Sequence, residues 1–346
     1  MGANNYMNTS PIYIGGLDRS GKTTLRAFLH SHPNIAIPAV GSNMWTYFYN
    51  QYGNLENPEN FERCLSDLLK YKHVIFLKPD PDRIRKEFWM GPQTYAHLFS
   101  LFLIHFAMNE GKPRWGAQTG LIERYADQIV KAYPSVKFIH MLRDPRDRYA
   151  GSLELWPDGR LRAGGSVTRW YYTTYLARRN MRKYPESYTV VRFEDLIRNP
   201  ENTLKGICEF IGEEYYPEML AMPDAPEHRN KLIRRSKIKN DISPLSDEFI
   251  GIYKRIVPKE EVIFIQSFIG RSMKSYGYEL ENYHFSFREK LRYLVTTFPS
   301  NMIRMLFWGG QETLQQTLPG IFGRKPDPNR VVKPKFSKKK EMEKKI

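Results

Sequence analysis

Residues 11–25 read PIYIGGLDRSGKTTL. A short β-prone run ends in glycine, and from Gly16 the chain follows the spacing G-x-x-x-x-G-K-T. Glycines at both ends of such a loop let the backbone close on a phosphate. The N–H groups and the dipole of a helix starting there then meet its charge. Leu25, Phe28 and Leu29 recur at helical spacing directly afterwards. Strand, glycine loop and helix are the context that the motif requires. Gly16, Arg19, Ser20, Gly21, Lys22, Thr23 and Thr24 are thus the first candidate ligand-binding residues, with Arg19 and Lys22 supplying positive charge.

Working outward, VKFIHML (136–142) and YTVVRF (188–193) are continuous apolar runs suited to a buried parallel sheet. VIFLK (74–78) is also strand-like. Residues 41–112 are aromatic-rich and mostly helical in pattern, and IERYADQIVKAYP (122–134) and ENTLKGICEFIG (201–212) are amphipathic. WPDGRLRAGGSVTR (156–169) reads as a glycine-rich loop. Strands alternating with helices predict a three-layer α/β domain of the phosphate-loop type, with a central parallel sheet, over residues 10–280. The pattern then changes. Residues 281–323 form an apolar, aromatic and basic helical extension, lying either on its own domain or on a membrane. Residues 324–346 hold ten Lys or Arg and three acids, a net +7 out of +16 for the chain, and read as a disordered basic tail. Solubilisation, or contact with an anionic membrane surface, suits that tail. Specific nucleic-acid binding is not expected, because no such motif accompanies the charge.

Cys64 and Cys208 are the two cysteines, with no disulfide scaffold or zinc spacing. MGANNYMNTS lacks the charged and apolar regions of a signal peptide, and no apolar run is long enough to span a bilayer. A cytoplasmic location, peripheral at most to a membrane, is the expectation.

Two phosphate ligands suit the loop: the triphosphate of a nucleotide kinase and the phosphosulfate of a sulfuryl donor. A magnesium-dependent kinase places an Asp at the end of a second apolar strand. VKFIHML ends instead in Arg143, with Asp144 following. Arg143 can grip a phosphate bidentately. Alternatively, RDPRDR is a salt-bridge cluster, Arg143 with Asp147 or Asp144 with Arg148. Arg192 after YTVVRF is expected to be buried and paired with Glu194 and Asp195.

IYIGGLDRSGKTTLRAFLHSHPNI, RWGAQTGLIERYADQIVKAYPSVKFIHMLRDPRDRYAGSL, YTVVRFEDLIRNPENTLKGICEFIG and SYGYEL follow one another in order across residues 11–280. Together they resemble the sulfotransferases that use 3′-phosphoadenosine 5′-phosphosulfate (PAPS), in the bacterial and tyrosylprotein-type branch. The resemblance implies transfer of a sulfuryl group to a hydroxyl or amine, with release of PAP and no metal requirement. The acceptor would be a small molecule, glycan or peptide. It implies that Arg19 to Thr23 bind the 5′-phosphosulfate, and that Arg143 and a nearby serine bind the 3′-phosphate. The family's serine falls on Gly151, with Ser152 one place late. Lys22 replaces a family threonine, and Gln118 in WGAQTG stands where lysine is common. Arg235, Ser236 and Lys237 fall where the family brings a late basic loop over the nucleotide. Relatives often carry a Glu in the segment that here reads PAVGSNMW (38–45) without an acid. His30, His32, His97, His105, Asp80 and Glu123 remain as bases, and Asp80, ending the VIFLK run, leads them. A nucleotide kinase, or a non-catalytic nucleotide- or membrane-binding relative, is the competing reading.

Overall fold

The computed structural model describes residues 10–153, 163–236 and 245–317. Five parallel strands form one sheet in the order β2-β3-β1-β4-β5. They are β1 (Ile12–Gly15), β2 (Ile35–Ala36), β3 (Arg114–Gln118), β4 (Lys137–Leu142) and β5 (Tyr188–Arg192). Period-two alternation splits the core. Ile12 and Ile14 face the helix Lys22–His30 through Leu25, Phe28 and Leu29. Tyr13 faces the other way, into Trp115, Phe138 and the helix Tyr95–Asn109. The expected three-layer α/β architecture with a central parallel sheet follows.

β1 sits between β3 and β4, with Ile12 level with Gly116 on one side and Ile14 level with Ile139 on the other. The chain leaves β1 toward the β2–β3 side and later returns past it to β4. That reversal opens a crevice at the carboxyl ends of the strands. The loop after β1, the turn after β3 and RDPRDR after β4 therefore share one crest.

Two local readings differ from the structure, and one strand has no strand-like sequence pattern. VIFLK begins in a helical turn, Lys72–Ile75, and is no strand; a short apolar run does not distinguish the two. β3 carries RWGAQ, which lacks a run of branched residues. Its Gly116 is needed because a Cβ there would lie 2.6 Å from the Ile12 carbonyl oxygen of the neighbouring strand. AGGSVTR is not loop but the first turns of the helix Ala163–Lys183. The part of the expected loop before Ala163 lies outside the described residues.

Those glycines admit a neighbouring helix. The chain after Ser286 forms the helix Phe287–Arg292, a π turn over Tyr293–Thr297, and the helix Phe298–Thr317. The last of these lies along Ala163–Lys183. Asn301 Oδ1 accepts from Gly164 N at 3.0 Å, and Thr168 Oγ1 donates to the Met305 carbonyl at 3.1 Å. A Cβ on Gly164 would meet the Asn301 carbonyl oxygen at 1.9 Å. Gly164→Ala must push the helices apart, so it should cost about 1–3 kcal/mol despite alanine's better helix propensity. A thermal melt at or above that of the parent would refute this packing.

Candidate functional site

The loop after β1 closes because its glycines take dihedrals denied to other residues. Gly16 has φ +105° and Gly21 φ +89°, and Arg19 between them is also left-handed at +69°. A Cβ on Gly16 would lie 2.2 Å from the Met141 carbonyl oxygen, and one on Gly21 would strike the Phe193 ring at 2.3 Å. Gly21 caps Lys22–His30 without a side-chain hydrogen bond. The helix's first N–H groups are thus left to a ligand.

Glu123, fully buried in the turn after β3, anchors the loop by accepting from Gly16 N. His140 of β4 contacts its carboxylate at 2.8 Å. Burial alone would raise the Glu123 carboxyl. The charge and hydrogen bond of His140, with Lys22 nearby, outweigh burial and hold it below the usual carboxylate range. Lys22 Nζ donates to the Gly16 carbonyl at 2.5 Å and lies 3.5 Å from Asp18. Thr24 Oγ1 meets His228 Nε2 at 3.2 Å, which brings the helix Pro226–Ser236 onto the loop helix.

Arg143 stands at the end of β4, 8% exposed. Its Nη1 donates to the Arg19 carbonyl at 3.1 Å and its Nη2 to the Phe249 carbonyl at 2.5 Å. Its guanidinium lies 4.5 Å from the Phe193 ring centroid, and its buried Nε has no partner. Beside it is a cavity of about 250 Å³, lined among others by Arg19, Arg143, Gly151, Phe249 and Arg255. Arg19 Nε donates to the Gly151 carbonyl at 3.0 Å. Arg19, Arg143 and Arg255, with the one acid Glu248, thus line one small chamber that also borders the loop. Such a chamber suits a multiply charged anion.

RDPRDR is held by pairings other than those expected from sequence. Asp144 pairs with Arg146, Oδ2 to Nη2 at 2.6 Å, rather than with Arg148. Asp147 accepts from Gly251 N at 2.7 Å and Tyr253 N at 3.0 Å. It therefore fixes the turn that carries Phe249 and Arg255 over the chamber. Glu194 accepts from Asp144 N at 2.9 Å and from the Tyr278 hydroxyl at 3.0 Å. The late SYGYEL segment thereby supports the Arg143 turn. Arg192 lies 3.9 Å from Asp195 and over the Tyr278 ring.

Gly16, Arg19, Ser20, Gly21, Lys22, Thr23, Thr24, Arg143 and Gly151 thus come together on one crest. Ser152 does not join them. Its hydroxyl donates back to the Arg148 carbonyl at 3.0 Å inside the helix Pro145–Leu153, and the residue is 3% exposed. Gly151 lines the chamber instead, and no bulge brings Ser152 forward. Ser236 ends its helix; its side chain and Lys237 lie outside the described residues. Arg255 and His228 were missed by sequence reading, since neither lies in a motif.

Asp80 is a helix cap. Its carboxylate accepts from Asp82 N and Arg83 N, both at 3.1 Å, at the start of Pro81–Met90, and it is exposed. Asp80→Ala should cost about 1 kcal/mol of stability and leave turnover unchanged. A large fall in turnover at unchanged stability would restore Asp80 as a base. His30, His32, His97 and His105 hold backbone groups or carboxylates in the core: His32 Nε2 lies 2.8 Å from the Glu214 carbonyl, and His105 Nε2 lies 2.7 Å from Glu87.

His73, absent from those candidates, does reach the crest. Gln118 Nε2 donates to the Ala39 carbonyl at 2.8 Å and Thr119 Oγ1 to Asn43 Oδ1 at 2.8 Å, so the acid-free segment lies on the end of β3. His73 Nδ1 donates to the Gly41 carbonyl at 2.5 Å, and the Asn43 amide lies 3.4 Å from the same nitrogen. Next to Thr119, Gly120 would place a Cβ 4.0 Å from both Lys22 Nζ and Asp18 Oδ1. A carbonyl partner fixes the proton on Nδ1 and leaves Nε2 as the accepting nitrogen. Burial lowers the His73 pKa below the ordinary 6.5, only partly opposed by the Gly41 hydrogen bond, so the ring is neutral at pH 7.

A larger cleft of about 1660 Å³ lies on the flank of Tyr95–Asn109, lined in part by Trp45, Tyr49, Tyr95 and Arg83. Its wall reaches the crest at Trp45, whose neighbour Thr46 donates to the Gly120 carbonyl at 3.1 Å.

Among solved structures, the sulfotransferase domain of the olefin synthase from Synechococcus PCC 7002 is 18% identical, covers 79% of this chain and 97% of its own, and superposes with a TM-score of 0.48. Sulfotransferase STF9 from Mycobacterium avium is 13% identical, covers 80% of this chain and 79% of its own, with a TM-score of 0.45. Among curated proteins none matches. Residues 11–218, more than half of the chain and including both the loop and the Arg143 turn, match the family model described as the Sulfotransferase family, and the chain belongs to that family.

Proposed function

We propose that the protein transfers a sulfuryl group from PAPS to a hydroxyl or amine acceptor and releases PAP. The observation carrying this reading is the pairing of two anion sites on one crest. The Gly16–Lys22 loop offers backbone N–H groups and Lys22 to the 5′ side of a nucleotide. The chamber of Arg19, Arg143 and Arg255 offers guanidinium groups to a second phosphate. A ligand with phosphate groups at both its 3′ and 5′ positions uses both, whereas ATP uses one.

PAPS supplies an activated sulfuryl group on its 5′-phosphate. The protein's part is to hold the donor, to neutralise charge on the departing phosphate and to take the acceptor's proton. Lys22, at the loop, serves the second task. We assign the third to His73 Nε2, since its ring is held by the Gly41 carbonyl of the segment that lies on the end of β3. The cleft at Trp45, Tyr49 and Tyr95 has room for an acceptor, and its aromatic walls suit a sugar face or an aromatic ring.

Calorimetric titration with PAP and with ATP, each with and without magnesium, tests the reading. PAP should bind tightly in the absence of magnesium, because arginine, lysine and N–H groups already meet its phosphates. Tight magnesium-dependent ATP binding with no PAP binding would instead identify a nucleotide kinase.

A further inference from the structure

Among the described residues, eight of the 17 exposed large apolar side chains fall between Phe287 and Leu314. In the first helix and the π turn they are Phe287, Leu291, Leu294 and Val295, at i, i+4, i+7 and i+8. In the last helix Ile303, Leu306 and Phe307 follow at i, i+3 and i+4, with Leu314 two turns on. Phe287 is 83% exposed and Phe307 65%. The same helices already bury a different face: Tyr293, Asn301 and Glu312 point into the protein. A surface helix normally gives its outward positions to charged side chains. Here the outward positions carry a second apolar stripe that packing on the domain does not use.

The charges beside the stripe have one sign. Arg288, Lys290 and Arg292 are exposed. The two acids of these helices are neutralised within the protein: Glu289 by Lys259 at 2.5 Å and by the Ser286 cap, and Glu312 by Arg124. The sequence then runs on into residues 324–346, with their net +7. No helix among the described residues is long and apolar enough to cross a membrane. Large apolar side chains flanked by cations are what binding at an anionic lipid surface requires: the stripe enters the acyl boundary while the cations stay with the headgroups.

We infer that the outer face of residues 287–314 docks on an anionic bilayer, with the basic segment 324–346 adding electrostatic attraction. The two sequence alternatives for this extension, packing on the domain and lying on a membrane, are then two faces of the same helices. The inference is independent of which nucleotide the crest binds.

Co-sedimentation with phosphatidylcholine vesicles containing phosphatidylserine tests it on the full chain. The wild type should bind, and raised salt or deletion of 324–346 should weaken binding. The double variant Leu306→Ser, Phe307→Ser should partition about a hundredfold less well, roughly tenfold for each large side chain withdrawn from the lipid. Both positions are exposed, so its melting temperature should be unchanged. No vesicle binding by the wild type, or equal binding by the double variant, overturns the inference. So does a wild-type dimer in sedimentation velocity that the double variant dissolves without any vesicle uptake, which would assign the face to a second copy of the chain.

Discussion

Arg143→Ala should weaken PAP binding by about 2–5 kcal/mol, the range for losing one partner of a desolvated charge pair, and should weaken ATP binding far less. The difference arises because Arg143, besides holding the loop's Arg19 carbonyl, lines the chamber, and ATP has no 3′-phosphate to place there. Its side chain is 8% exposed, and its Nε carries no partner, so its charge has little water to fall back on. Burial already lowers its pKa, which an incoming phosphate would reverse. The side chain also ties the Arg19 and Phe249 carbonyls, so alanine will loosen the crest as well. Arg143→Lys separates the two effects. It keeps a charge but loses the fork, so it should regain stability more fully than PAP affinity. Lys22→Ala, acting on the 5′ side, should weaken PAP and ATP alike. Equal losses of PAP and ATP in Arg143→Ala would remove the chamber from nucleotide recognition.

The sequence made the donor side legible because its chemistry is local. Gly16 and Gly21 are separated by a fixed spacing, and backbone geometry alone explains both. Arg143 ends an apolar run, so its place at a strand end follows from the run. The limits of such reading are equally physical. Counting along the sequence sets Ser152 one place from Gly151, but whether a hydroxyl points into a cavity or back to the Arg148 carbonyl depends on helix phase. Gly164 and Gly165 resembled a loop because glycine marks both turns and close helix contacts, and only the partner helix near Asn301 and Trp308 distinguishes these. Asp80 resembled a strand-end acid, yet Asp-Pro-Asp is also a good helix start, and the cap prevailed. Arg255 and His73 reach the crest through contacts made by distant segments, which no local pattern records.

His73→Ala should lower kcat by about 10²- to 10⁴-fold, the usual contribution of a positioned general base, and should leave PAP affinity within experimental error. The segment PAVGSNMW carries no acid, so a base on this side of the crest has to come from another element. His73 arrives from the helical turn Lys72–Ile75 and is oriented by the Gly41 carbonyl of that very segment. The pH dependence follows from its environment. Only the neutral ring can accept a proton at Nε2, and burial lowers its pKa below 6.5. The kcat of the wild type should therefore rise with pH through a midpoint below 6.5 and stay level through neutrality. His73→Ala should lose that limb. His73→Asn offers an amide N–H to the Gly41 carbonyl but no basic nitrogen, so it should retain the fold and PAP affinity while remaining as slow as alanine. Recovery of kcat by asparagine would make His73 a positioning residue. An unchanged acid limb in both variants would place the base elsewhere on the crest.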